Sequence, residues 1–338
     1  MTKRIPGSLK LHDRIFLILL PAAVSFIALC VGRYPLPVTD VARAIAEKLG
    51  ANVTAGAQTA QILWSMRLPR VLLALLVGAG LSASGCAFQS LFANPLATPD
   101  TLGVASGASF GAAAALLFGL GLAGVQVSAL VFGLAAVALT YLSGRGRGGT
   151  NTVVLAGIMI GSLFTALVSL VKFTADTESQ LPAITYWLMG SLGGKSYDTL
   201  ALGAPLILVG LVVLWLLRWR MNLLPLPEDE ARASGTNIRA LRTAVILAAT
   251  AMTASCVSMC GQVGWVGLLV PHICRMKYGS NHLVLVPASI SVGAAFLVAV
   301  DTLARTATAA EIPISILTAI LGAPFFILLM RRSGGWKL

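Results

Sequence analysis

Long apolar segments separated by short polar ones extend along the whole chain. Each segment is rich in Leu, Val, Ala and Ile and carries few charged side chains. Roughly 18 or more consecutive apolar residues are what an α-helix needs to cross the hydrocarbon core of a bilayer. The pattern therefore predicts about ten transmembrane helices, of which the eighth is too short to cross straight on its own. The predicted segments are residues 15–32, 68–92, 102–120, 125–143, 153–175, 199–218, 241–260, 263–275, 284–303 and 313–330.

The composition agrees with a membrane protein. Of the 338 residues, 57% are hydrophobic and only 11% are charged, a balance that departs strongly from that of soluble domains. We therefore expect residues 1–338 to form a single all-α, polytopic transmembrane domain. The formal net charge of +12 does not indicate nucleic-acid binding, because the basic residues lie in ones and twos between apolar segments and form no patch.

The positions of Lys and Arg predict the orientation in the membrane. With a cytoplasmic N-terminus, 16 of the 24 Lys and Arg residues fall on the cytoplasmic side of the predicted helices. Basic residues near membrane spans are retained inside the cell, so both termini are predicted to be cytoplasmic, and the polar stretch at residues 224–237 with them. The first apolar segment is long for a cleaved signal peptide, and we expect it to be retained as a span.

The polar stretch Leu224–Asn237 has the features of a short helix with both ends marked. Pro227 suits the first helical position, and three acidic residues follow it in the first turn, where the helix dipole favours them. Gly235 can take the left-handed conformation that ends a helix, and Thr236 or Asn237 can cap the next one. Such a short helix is marginal alone in water. Held between two membrane spans, it is best interpreted as a docking surface for a second protein.

The residues that carry chemistry form no convincing catalytic or metal-binding motif. The segment Gly190–Ser196 looks like a phosphate-binding loop, but the required spacing puts Met189 where the first glycine must be. The three histidines are scattered without ligand spacing, and all five cysteines fall in apolar stretches, where we interpret them as small buried hydrophobic residues. We predict a non-catalytic protein with no metal site and no cofactor.

Ionisable residues are almost absent from the interior of the predicted spans, so the main interpretation is a transport subunit without its own energy source. Two other classes of membrane protein are the alternatives. An ion-coupled secondary transporter normally places a carboxylate at mid-membrane. Here the nearest candidate is Asp301, close to the outer end of its span. A membrane-embedded enzyme would need a converging set of catalytic groups, and we identify none. The ion-coupled transporter is the stronger alternative.

Several motifs, taken in order, resemble one known family. Together they run from about residue 14 to residue 332, and their number and order make the resemblance specific. The motifs are Arg67–Arg70, Gly78–Gly85, Gln89–Ala97, Leu102–Gly111, Tyr186–Ser191, Glu228–Gly235, Val266–Ile273, Asp301–Arg305 and Leu321–Phe325. With these motifs the chain resembles the permease subunit of type II ABC importers, the family that takes up cobalamin, haem and iron–siderophores.

The resemblance implies an assembly. Such permeases have about ten helices per subunit and form a homodimer in the bacterial inner membrane, with the translocation pathway at the two-fold interface. Two ATPase subunits, which carry the ATP hydrolysis, dock on the cytoplasmic side. A periplasmic or lipid-anchored substrate-binding protein docks on the outer side. The substrate is a metal chelate, with a ferric siderophore as the first expectation and haem, cobalamin or an oxyanion as alternatives.

The resemblance also implies roles for particular residues. Arg67, Arg70 and Arg305 match outer-face arginines that bind carboxylates of the binding protein, a task that suits the planar guanidinium. Thr150 and Asn151 match the position of a cytoplasmic gate. The segment that would couple the permease to the ATPase comprises Glu228, Asp229, Glu230, Ala231, Arg232, Ser234 and Gly235.

Overall fold

The structure, a computed structural model, describes residues 9–144, 149–308 and 310–332. These residues form α-helices with short 3₁₀ and π-helical turns and contain no β-strand, which confirms the all-α prediction. The helices are α1 (Leu11–Cys30), α2 (Val38–Lys48), α3 (Ala57–Gln61), α4 (Leu68–Leu91), α5 (Val104–Leu117), α6 (Leu122–Ser143), α7 (Gly149–Thr174), α8 (Gln180–Leu188), α9 (Tyr197–Leu217), α10 (Glu228–Ala233), α11 (Ile238–Cys260), α12 (Val266–Tyr278), α13 (His282–Ala307) and α14 (Ile314–Arg332).

Each of the ten predicted apolar segments coincides with a helix. Seven helices in the described part of the chain are long and apolar enough to cross a membrane: α1, α6, α7, α9, α11, α13 and the continuous helix made by α3 and α4. A π-helical turn, Ile62–Arg67, joins α3 to α4. Helices α5 and α12 have only 14 and 13 residues, and α14 is apolar over Ile314–Leu328. The total of ten crossings therefore stays a prediction.

Helix α4 lies at the centre of the molecule. In its most apolar stretch 83% of the residues are buried, against 17% in α1 and 17% in α7. Helices α9, α11, α12 and α13 surround it. Small residues permit this packing, since a Cβ on Gly85 would overlap the backbone carbonyl oxygen of Gly267 in α12. Helices α5, α6 and α7 pack on one another beside this core.

One end of the bundle gathers the parts that the sequence predicts to be cytoplasmic. The ammonium group of Lys277, at the end of α12, lies 4.5 Å from the ring centre of Phe16 in α1. Asn222, just before α10, donates a hydrogen bond to the Oδ1 atom of Asn281 at 3.1 Å. The start of α1, the α9–α11 connection and the α12–α13 junction thus share one end. The side of the membrane that this end faces stays a prediction.

Candidate functional site

The stretch Leu224–Asn237 folds as its end signals predict. Helix α10 begins directly after Pro227, whose carbonyl accepts the N–H of Ala231 at 3.0 Å. Gly235 follows the helix with a φ of +73°, and the side chain of Asn237 caps α11 by accepting the N–H of Ala240 at 3.1 Å. The short helix and the end signals at Gly235 and Asn237 are therefore confirmed, while Pro227 lies one residue before the first helical position predicted for it.

Helix α10 has one face turned inward and one turned outward. Ala231 is 1% exposed, whereas Asp229 and Glu230 are exposed. The hydroxyl of Ser234 donates to the carbonyl of Ala231 at 2.7 Å and closes the last turn. The side chains of Glu228 and Arg232 lie outside the described part of the structure. The arrangement presents an acidic surface at the first turn of a helix whose inner face is packed.

The base of this element is bonded to two membrane helices. The hydroxyl of Ser90, near the end of α4, donates to the carbonyl of Met221 at 3.0 Å. The Oδ1 atom of Asn222 accepts the backbone N–H of His282, the first residue of α13, at 2.9 Å. Leu224 adds a buried apolar anchor at 3% exposure. The 3₁₀ turn Arg220–Leu223, which leads into α10, is therefore tied to α4 and α13.

Two of the three predicted docking arginines bind the end of α1. Arg67 is 5% exposed and donates hydrogen bonds to the carbonyls of Leu29, Cys30 and Tyr34. Arg305 is 7% exposed and donates to the carbonyl of Ala28. The last carbonyls of an α-helix have no partner within the helix. Both guanidinium groups supply such partners, and in this conformation they are directed into the protein.

Arg70, the third predicted docking arginine, joins two carboxylates. Its Nε atom lies 3.0 Å from both carboxylate oxygens of Asp301, and its Nη2 atom lies 2.9 Å from Oδ1. Its Nη1 atom lies 3.0 Å from the Oε2 atom of Glu311. Arg305 approaches the same carboxylate of Asp301 at 3.9 Å. We call Arg70, Asp301, Arg305 and Glu311 the outer charge cluster, after the side of the membrane that the sequence predicts for them.

Thr150 and Asn151, the predicted gate residues, fall in the first turn of α7. Their side chains lie outside the described part of the structure, so their role stays a prediction.

Asp100 is a carboxylate that no sequence motif singled out, and it lies beside buried segments of the helix bundle. Asp100 lies on the 3₁₀ turn Pro99–Leu102, in the connection between α4 and α5. It lines a cavity of about 290 Å³ together with Leu81 of α4 and Thr253 of α11. Leu81 is ten residues before the end of α4, which is about 15 Å along the helix axis. The connection therefore re-enters the bundle and carries an acid with it.

The same carboxylate also faces a second, more open groove. This groove, of about 390 Å³, is lined by α7 and by hydroxyl groups of Thr101, Ser106, Ser162 and Thr165. Asp100 is exposed in the single chain, and its Oδ1 atom accepts the N–H of Ala105 at 3.2 Å. The only sequence signal was an acidic residue between Pro99 and Thr101, at the edge of a predicted span.

The order of helices and the whole-chain pattern match a described family of transporters. The model of the FecCD transport family matches residues 18–332. The chain belongs to the FecCD transport family. A molybdate import system permease protein of Haemophilus influenzae is 41% identical over 318 residues, which cover 94% of each chain. A cobalamin import system permease protein of Halobacterium salinarum is 39% identical and covers 89% of this chain and 80% of its own.

A solved structure extends the FecCD relationship to three dimensions. A metal-chelate type ABC transporter in an inward-facing conformation superposes with a TM-score of 0.86 at 39% identity. The match covers 95% of this chain and 99% of the other. As a FecCD protein, the chain is a permease subunit of an ABC importer, and the family resemblance read from the sequence is confirmed.

Proposed function

We propose that this FecCD permease works as a homodimer in the bacterial inner membrane, with two ATPase subunits docked on α10 and a substrate-binding protein docked on the outer face. Both termini are cytoplasmic in this proposal, and about ten helices cross the membrane. The observation that carries it is the exposed acidic turn of α10 together with the preceding 3₁₀ turn, whose residues Met221 and Asn222 are hydrogen-bonded to α4 and α13. Such a surface suits a partner that pushes on the membrane helices, and FecCD membership favours an ATP-driven importer over an ion-coupled secondary transporter.

The position of Asp100 supports the homodimer. An ionised carboxylate that faced hydrocarbon would be costly, and acids inside membrane proteins face a water-filled path or another protein segment. In the single chain Asp100 and the hydroxyl-lined groove beside α7 are open. A second copy placed against this groove would cover it and leave a polar path between the two chains.

The substrate that we propose is a metal chelate, with a ferric siderophore first and haem or cobalamin next. The similarity to a metal-chelate type transporter and to a cobalamin permease supports this class. Molybdate is the second candidate, because a molybdate permease is 41% identical over nearly the full length. Against this oxyanion, the carboxylate of Asp100 in the proposed path would repel a dianion.

Reconstitution tests the proposed energy source. We expect the permease, its ATPase and its binding protein in vesicles to accumulate substrate when ATP is supplied on the ATPase side, without any ion gradient. The matched control replaces the ATPase by a variant that binds but does not hydrolyse ATP, and uptake should fall to the background. Accumulation by the permease alone, in ATP-free vesicles with an imposed ion gradient, would favour the secondary transporter. Competition among ferric siderophores, haem, cobalamin and molybdate in the same vesicles identifies the cargo.

A further inference from the structure

The two carboxylates of the outer charge cluster, Asp301 and Glu311, differ in exposure. The side chain of Asp301 is 2% exposed and that of Arg70 is 12% exposed, but the side chain of Glu311 is 32% exposed. Gly193 lies beside this pair and has no side chain to cover it: a Cβ at this residue would lie 2.9 Å from the Oε2 atom of Glu311. The Arg70–Glu311 ion pair is therefore the part of the cluster that solvent and a docking protein can reach.

The two ion pairs of Arg70 have different energetics. Removing the Asp301 carboxylate would leave buried positive charge without its partner, which is strongly unfavourable. Separating Glu311 costs less, because its carboxylate is 32% exposed and can return to water while Arg70 keeps Asp301. Arg70 can thus keep Asp301 and exchange Glu311 for another carboxylate.

We propose that Glu311 occupies the position on Arg70 at which a carboxylate of the substrate-binding protein binds. When the binding protein docks, its carboxylate replaces Glu311 on Arg70. This inference rests on the proposed docking function of the outer face. It narrows that function to one arginine, since Arg67 and Arg305 are bonded to the end of α1. The partner that fits is a surface with an Asp or Glu side chain able to reach Arg70 beside Gly193.

The exchange would also release a side-chain bond in the connection that leads into α14. Glu311 lies between α13 and α14, three residues before Ile314. The backbone N–H of Ile314 donates to the carbonyl of Gly190 at 3.0 Å, and that of Ile312 donates to Ala304 at 3.1 Å. Releasing Glu311 removes the side-chain bond from this short connection and leaves these two backbone bonds in place.

Binding of the cognate binding protein to the assembled transporter in nanodiscs tests the exchange. Glu311→Gln should bind the partner about threefold to tenfold more tightly, because the competing carboxylate is gone. Glu178→Gln is the matched control, since it removes the same charge from an exposed site in the α7–α8 connection. The difference between the two variants should shrink as salt is raised.

A third variant separates this inference from the docking function itself. Arg70→Lys keeps positive charge beside Asp301 but lacks the fork that binds a carboxylate bidentately, so the partner should bind more weakly. Weaker binding by Arg70→Lys with equal affinities for Glu311→Gln and Glu178→Gln would overturn the exchange and leave docking on Arg70 intact. Unchanged affinity in both Arg70→Lys and Glu311→Gln would overturn docking on Arg70. Melting temperatures of all variants establish that each is folded.

Discussion

Gly235 is the residue at which the coupling segment depends most directly on backbone conformation. Its φ of +73° lies in the left-handed region, which an L-residue with a side chain enters only at a cost. No other heavy atom lies within 4 Å of the position that a Cβ would take. The need for glycine here therefore comes from the backbone and not from packing.

We predict that Gly235→Val impairs coupling without disturbing the membrane helices. The substitution places a β-branched residue at positive φ and costs roughly 1–2 kcal/mol locally, which should redirect the chain between α10 and α11. ATPase co-purification and ATP-driven uptake should both fall. Gly50→Val is the matched control, because Gly50 also has positive φ (+93°) and open surroundings but follows α2. Equal uptake by the two variants would show that the conformation at Gly235 has no part in coupling.

At the scale of elements, the packing of α4 against its neighbours decides how close the central helices come. Gly78 of α4 lies against the backbone of Gly293 in α13, and Gly85 of α4 lies against that of Gly267 in α12. Without water in the membrane, helix association depends on such close van der Waals contact. The backbone on the far side of each contact cannot move aside as a flexible side chain could.

We predict that Gly85→Ala destabilises the permease by about 1–3 kcal/mol, because the added methyl group must push α4 and α12 apart. A lower melting temperature in detergent, measured by the fluorescence of the tryptophans, would record this loss. Gly121→Ala is the matched control: Gly121 has nothing within 4 Å of a Cβ and a φ of −65° that alanine tolerates. Equal melting temperatures for the two variants would contradict close packing of α4 on α12.

At the scale of the whole molecule, the described chain leaves polar groups open on a face that a bilayer would cover. Ser162 and Thr165 of α7 are exposed, and each hydroxyl donates to a carbonyl one turn earlier in its own helix. These bonds satisfy the hydroxyl protons, whereas the exposed carboxylate of Asp100 beside them accepts the backbone N–H of Ala105, a bond that does not neutralise its negative charge. The whole face therefore suits an interface between two copies around an aqueous path.

We predict that the solubilised permease has twice the 35.0 kDa mass of one chain and that this groove lies near the two-fold axis. Light scattering with detergent correction measures the mass. Ser162→Cys should form a covalent dimer with a short bifunctional thiol reagent, because the two copies of residue 162 face each other across the path. Leu216→Cys, at a 72% exposed position on α9, is the control and should stay uncross-linked. A monomeric mass, or equal cross-linking at both positions, would exclude this interface.

The sequence by itself determined the features that depend on neighbouring residues. Apolar length predicted ten helices that the structure contains, and Pro227, Gly235 and Asn237 marked the ends of α10 and the start of α11. Such signals are readable because a helix end and a positive φ depend on a few consecutive residues. The order of the motifs was also sufficient to indicate the transporter family, because motif order can be compared without knowing which residues are in contact in the fold.

Only the tertiary structure decided which charged groups meet. Arg70 is 231 residues from Asp301 and 241 from Glu311, and nothing local to any of them indicates this pairing. The inward direction of Arg67 depends in the same way on where α1 ends. The position of Asp100 beside Leu81 depends on the connection after α4 folding back along the bundle. Charge–charge energies and burial depend on distances between segments remote in the chain, which helix packing alone sets.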